Sequence, residues 1–143
     1  MVLLIDFDSI IYTSVYKVVG IRAMREAIEK HGKQAAKQWL LEEVYNEGIN
    51  RCENELLKIQ NYIDDQILDD ITGVELFITT DKNSFRKKLS PSYKIKRKRN
   101  KYVWVIRDHY QMNNAKCSDT LEADDLIATR ARELGKDNCI VIS

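Results

Sequence analysis

Residues 2–12 read VLLIDFDSIIY. Four apolar residues, Val2–Ile5, run without a break into Asp6. A short run with no polar residue alternating through it is the pattern of a strand covered on both faces. Strands of that kind belong to parallel sheets sandwiched between helices. Asp6 then marks the carboxyl end of the strand, with Asp8 two residues on. In open α/β sheets the chemistry gathers at that edge. The rest of the chain is therefore read for other strands that end in the same way.

Val74–Thr79 (VELFIT) is a second candidate strand, closed by Thr80 and Asp81. Ala115–Ser118 is a short third, followed by the acids Glu122, Asp124 and Asp125 in TLEADDLIA. Cys139–Ile142 (CIVI) is a fourth. Helical patterns fill the gaps. The first runs from Tyr12 to about Lys30, with a break expected near Gly20 and a stop at His31-Gly32. From about Lys33 to Asp70 apolar residues recur in steps of three or four, at Leu41, Val44, Gly48, Cys52, Leu56, Ile59, Ile63 and Ile67. That stripe predicts a long helix, interrupted near Asn46–Gly48, lying on the domain's own sheet or on another chain. Tyr102–Met112 has strand-like β-branched content, but Val103, Ile106 and Tyr110 share a helix face, and we read it as helix. Asp119 or Thr120 is the expected cap of a last helix, about Leu121 to Leu134, with Gly135 as its stop. The expected fold is α/β. It is one three-layer, Rossmann-like domain over residues 1–143, with a central parallel sheet of about four strands and a helical insertion over about 33–70.

The chain has 143 residues and a formal net charge of +1, with 44% hydrophobic and 31% charged residues. Cys52, Cys117 and Cys139 are scattered, form no CxxC, and stand at no zinc spacing from His31 or His109. They read as buried thiols of a reducing compartment. The apolar N-terminal run is too short for a signal peptide or a membrane span, so a cytoplasmic protein with no membrane partner is expected.

Charge is unevenly distributed. In FRKKLSPSYKIKRKRNK, residues 85–101, nine of seventeen side chains are Lys or Arg and none is acidic. The remainder of the chain is therefore net acidic. Phe85, Leu89, Pro91, Tyr93 and Ile95 interrupt the cations, which argues against a floppy tail. Lys and Arg neutralise phosphates and release counterions, and Tyr93 can stack on a base. A solubility or localisation patch is the plainer alternative.

The acids make the complementary half. Asp6 and Asp8, then Asp81, then Glu122, Asp124 and Asp125 each follow a predicted strand, so a parallel sheet would bring them to one edge. Crowded carboxylates raise one another's pKa, and a hard divalent cation, Mg²⁺ or Mn²⁺, relieves that conflict. Each acid taken alone has a structural alternative. Helix first turns favour acids, Asp81 sits in an ordinary turn sequence, and Asp6 can be a loop residue.

LLIDFDSIIY, TTDKNSFRKKLSPSYKIKR, TLEADDLIA and CIVIS together resemble the 5′-nuclease superfamily, the flap endonucleases and 5′-3′ exonucleases with phage members and a PIN-like fold. The resemblance covers both ends and the middle of the chain but not the helical region 33–70. It implies hydrolysis of nucleic-acid phosphodiester bonds with Mg²⁺ or Mn²⁺, on DNA or RNA with a free 5′ end or a flap. By position it implies Asp6, Asp81, Glu122, Asp124 and Asp125 as metal-site and catalytic carboxylates and Lys94 as a catalytic cation. Arg86, Tyr93, Lys94, Lys96, Arg97, Lys98 and Arg99 would contact nucleic acid. Asp8 departs from the family pattern, which has a small or polar residue there, and is expected to support the metal site from behind. In the family further aspartates and a helix-hairpin-helix region follow the strand matching CIVIS. This sequence stops at Ser143, so the expectation is a fragment, a partner polypeptide supplying the rest, or binding without efficient cutting.

Two other classes compete. A non-catalytic nucleic-acid-binding or assembly module derived from the same family keeps the basic stretch and gives up the cleavage. A haloacid-dehalogenase-type phosphatase would use Asp6 as nucleophile, Asp8 as acid/base and Thr79 or Thr80 as its second motif. It leaves the basic stretch and the helical EADD unexplained.

Overall fold

The computed structural model of the chain describes residues 1–66, 70–80, 89, 90, 92 and 101–143. Strand β1 (Val2–Asp6) is the middle of a three-stranded sheet, flanked by β2 (Gly73–Phe77) and β3 (Cys139–Ile142), and both pairings are parallel. Asp6 stands opposite Phe77, and Ile5 opposite Ile142. Leu3, Leu4 and Ile5 are all fully buried, as a middle strand covered on both faces requires. Alternation along β1 sorts the two faces. Leu3 and Ile5 join the larger core with Phe7, Ile11, Val44, Cys52 and Ile106, while Leu4 joins Phe77, Ala123 and Ile127 on the other side. The result is three layers, helix on sheet on helices.

Helix α1 (Phe7–Val18) starts directly after β1, five residues before the expected start at Tyr12. Asp6 is its N-cap, accepting a hydrogen bond from the Asp8 amide at 3.2 Å. Phe7, Ile11 and Val15, one turn apart, are fully buried. The DFDS segment is thus at once a strand exit and a helix cap. The expected break falls at Val19-Gly20, and α2 (Ile21–His31) follows. Gly32, at φ +80°, turns the chain into α3 (Lys33–Glu43), which packs back on α2.

The expected interruption near Asn46–Gly48 is a π-helical turn over Val44–Gly48, joining α3 to α4 (Ile49–Gln66). The turn is closely packed at its glycine. A Cβ on Gly48 would lie 3.0 Å from Cδ1 of the fully buried Ile106. Val44, Cys52 and Leu56 are buried, and Leu41, Ile59 and Ile63 pack against the same core. The predicted stripe therefore lies on the domain's own sheet side, against α1 and against α5 (Lys101–Met112). Ile67 lies outside the described residues.

The segment read as helix over Tyr102–Met112 is α5. The expected third strand is not one. Within Ala115–Ser118 a single residue, Lys116, bridges to Phe77, donating to Leu76 O at 2.7 Å and accepting from Ile78 at 3.0 Å. Ser118 ends it, because its Oγ accepts from the Thr120 and Leu121 amides and starts a turn. The sheet described is thus three strands plus one bridge, not four strands. Helix α6 (Ala123–Leu134) is capped by Glu122, and neither Asp119 nor Thr120 serves as the cap. Glu122 accepts from the Asp125 amide while Asp125 Oδ2 accepts from the Glu122 amide at 3.1 Å, a reciprocal box. Gly135, at φ +87°, ends α6 as expected. Of the three free cysteines only Cys52 is buried, and Cys117 and Cys139 are partly exposed. No helix among the described residues is long and apolar enough to cross a membrane.

Candidate active site

Because every strand runs the same way, the exits of β1 and β2 lie on one edge, and the N-terminus of α6 is drawn to it. A chain of hydrogen bonds makes the connection. Asp8, in the first turn of α1, accepts from the Thr79 amide through Oδ2 at 3.1 Å. Thr79, just past β2, in turn accepts through Oγ1 from the Ala123 amide at 3.0 Å. That amide is one of the donors a helix N-terminus leaves without an intrahelical partner. One threonine therefore ties the β1 exit, the β2 exit and the start of α6. Next to it, Thr80 Oγ1 donates to Ser118 O at 2.8 Å, which fixes the turn leading into α6.

The other oxygen of Asp8 is bonded to Arg107 of α5. Nε donates to Oδ1 at 3.1 Å, and the side chains are only 6% and 17% exposed. The guanidinium also lies 5.5 Å from the ring centre of Tyr12 and 5.2 Å from that of Trp104. Burial pushes the Asp8 carboxyl above its ordinary value, and the bonds from Arg107 and Thr79 oppose but do not cancel it. With both oxygens taken, Asp8 is poorly placed for the acid/base work a dehalogenase-type phosphatase would ask of it. Its contact with Asp6 is through its backbone amide, which donates to Asp6 Oδ1 at 3.2 Å.

The Asp6 carboxyl is also raised. Burial is the largest cause, repulsion by Asp8 follows, and repulsion by Asp124 adds to it. The bond from the Asp8 amide and the charge on Arg107 pull the other way. Asp124, in the first turn of α6, is thus among the charges that act on Asp6 at the end of β1, after burial and Asp8. Glu122 and Asp125 meet at the same turn, but their carboxylates serve the capping box. Asp124, between them, is exposed and has no hydrogen bond or ion pair among the described residues.

Asp81 lies outside the described residues, as do Arg86, Tyr93, Lys94, Lys96, Arg97, Lys98 and Arg99. Among the described residues no group of three or more His, Cys, Asp or Glu could hold a metal ion. What they provide is two hard oxygen donors in electrostatic conflict. That donor chemistry fits Mg²⁺, which is held by one or two carboxylates together with waters and phosphate oxygens.

Arg107 is the main residue the sequence reading missed. Its signal is visible in the sequence: it stands four residues after Val103 and three before Tyr110, inside the apolar stripe of α5. A cation at such a position requires a buried anion. Comparison with family models, with curated proteins and with solved structures returned no match for this chain.

Proposed function

We propose that the chain is a PIN-like domain of the 5′-nuclease type, which hydrolyses phosphodiester bonds of DNA or RNA near a free 5′ end or flap. The observation that carries this reading is geometric: the bonds from Asp8 to Thr79 and from Thr79 to Ala123 bring the β1 exit, which carries Asp6, and the first turn of α6, which carries Asp124, to one edge of the sheet. The basic stretch supports it by connectivity, since residues 85–101 come in sequence between Thr80, at that edge, and α5, which begins at Lys101. Asp6 and Asp124, with Asp81 one residue beyond Thr80, would hold Mg²⁺ or Mn²⁺. When bound, the cation supplies Lewis acidity to the phosphate and to the attacking water. The chain's own residues do the positioning. Thr79, Asp8 and Arg107 fix the spacing between the β1 exit and the α6 turn. Lys94, Arg97 and their neighbours hold the phosphate backbone against the acidic body.

The test is a 5′-flap or 5′-overhang DNA incubated with Mg²⁺ or Mn²⁺, comparing wild type with Asp124→Asn. Cleavage by the wild type and its loss in the variant is the expected result. Cleavage that persists in Asp124→Asn removes the site assignment. A second reading, a nucleic-acid-binding module without cleavage, keeps the basic stretch and gives Glu122 and Asp125 to the helix cap they form. Binding without cutting in both proteins selects it.

A further inference from the structure

A cavity adjoins the carboxylate edge. Its volume is about 260 Å³, and Thr80, Trp104, Asp108, Gln111 and Asp119 line it. Trp104, Asp108 and Gln111 fall at i, i+4 and i+7 of α5, on one helix face. Thr80 and Asp119 come from the β2 exit and the turn before α6. Trp104 is half-buried, and the guanidinium 5.2 Å from its ring centre belongs to Arg107, which Asp8 holds in place. The aromatic wall is therefore anchored through Arg107 to Asp8, which also accepts from the Thr79 amide just past β2. Among the described residues, neither Asp108 nor Asp119 has a hydrogen bond or ion pair with another side chain.

The chemistry of this lining is specific. It offers an indole and a rim in which the two carboxylates only accept hydrogen bonds. Negative charge there repels a phosphate and attracts N–H groups. The volume falls below the ~300–1,000 Å³ of sites for drug-sized ligands, so it suits a smaller planar group. Unpaired nucleobases stack on aromatic side chains and are read on their Watson–Crick edges. Guanine presents two adjacent donors on that edge, N1–H and the 2-amino group, which match the two oxygens of one carboxylate.

We infer that this cavity is a subsite for a single unpaired guanine of a nucleic-acid strand, stacked on Trp104 with its N–H edge toward Asp108 and Asp119. The inference rests on the nucleic-acid reading above and adds to it the base and the state of the strand. Base pairing would occupy the edge that the carboxylates read, so the guanine comes from a single-stranded segment. Thr80 lines the cavity, and Thr79 beside it bonds to Asp8, so the subsite adjoins the proposed cleavage edge.

The experiment is binding without metal, so that it does not depend on cleavage. Trp39→Phe leaves Trp104 as the only tryptophan of the two. Trp39 stacks on His31 in the α2–α3 hairpin and takes no part in the edge. Fluorescence of this variant is titrated with GMP, IMP, AMP, CMP, UMP and spermidine. GMP is expected to quench and to bind at least about tenfold tighter than IMP, which lacks the 2-amino group. Adding Asp108→Asn and Asp119→Asn, with circular dichroism unchanged, is expected to erase the preference for GMP over IMP. Equal binding of all nucleotides, no quenching at millimolar GMP, or quenching by spermidine at lower concentration than GMP would each overturn the subsite. GMP binding by a chain that cuts no 5′-ended DNA leaves the subsite and removes the nuclease. Cutting with no nucleotide preference does the reverse.

Discussion

A buried carboxylate survives only with partners, and Asp8 has two, the Thr79 amide and Arg107. Removing the cation leaves the charge uncompensated in the core. Arg107→Met is therefore expected to destabilise the fold by about 3–5 kcal/mol, as for other broken buried pairs. Adding Asp8→Asn removes the stranded charge while keeping an acceptor for Thr79, and should recover much of that loss. Urea denaturation of the four proteins in the cycle checks both statements. A second carboxylate behaves in the opposite sense. Glu75 of β2 is held below the ordinary glutamate value, first by Arg130 and then by Lys116. Its bonds to Arg130 are 2.9–3.2 Å and its contact with Lys116 is 2.9 Å. A depressed pKa means that the unfolded chain binds more protons in the window below the ordinary value of 4.5. Stability from this group is present above pH 4.5 and is lost as pH falls through the folded value. Glu75→Gln should lower the melting temperature at pH 7, and the gap to wild type should close as the pH is taken below that window. A gap that stays constant with pH would mean that shape rather than charge sets the contribution of Glu75.

Among the elements, the π turn over Val44–Gly48 sets two opposing effects against each other. Alanine gains up to about 1 kcal/mol over glycine inside a helix, but overpacking a tight core costs about 1–3 kcal/mol. The methyl would meet Ile106 Cδ1 at 3.0 Å, and Ile106 is fully buried, so the packing cost outweighs the helical gain. Gly48→Ala should destabilise the wild type, yet be neutral or stabilising in Ile106→Val, which lacks that carbon. Equal effects in both backgrounds, read by chemical denaturation, would assign the glycine another role. The same turn shows what a sequence discloses. Val44, Gly48, Cys52 and Leu56 announce a helix stripe by spacing alone, and the glycine at its centre announces an interruption. That the glycine lies against Ile106, far along the chain, is a tertiary contact that spacing cannot report. The start of α1 was legible in Phe7, Ile11 and Val15 but hidden by the acids between them, because Asp6 reads equally well as a strand end and as a cap. The short strand at Ala115–Ser118 looked complete from composition, whereas Ser118 turns the chain after one bridging residue. At the carboxyl edge, the end of β1 at Asp6 was legible from period and charge together, whereas Asp81 lies outside the described residues and the acids of TLEADDLIA follow a bridge rather than a strand. The Arg107 brace was missed because one cation in an apolar stripe looks like a lapse in the pattern until its anion is found.

At the scale of the whole molecule the outstanding feature is charge separation. A net +1 conceals a stretch with nine cations and an otherwise acidic chain. If the two parts serve one substrate, they must contribute separable quantities: the cations affinity, and the acids the use of metal. Each phosphate neutralised by a lysine or arginine releases about 0.9 counterion on duplex DNA, so the slope of log affinity against log salt counts these contacts. Lys94→Ala and Arg97→Ala are each expected to weaken binding across all sequences and to reduce that slope by about one. Asp6→Asn removes an anion from the edge and keeps a competent helix cap, since asparagine and aspartate cap about equally well. It should leave metal-free binding and its salt slope unchanged, or slightly strengthen binding, while abolishing cleavage with Mg²⁺ or Mn²⁺. Fluorescence anisotropy at several salt concentrations, run beside the cleavage assay, separates the two. A steady slope in Lys94→Ala and Arg97→Ala would show that the basic stretch does not hold the backbone. An unfolded Asp6→Asn would make the end of β1 a structural position rather than a chemical one, and the charge separation would then have to be explained without a reaction.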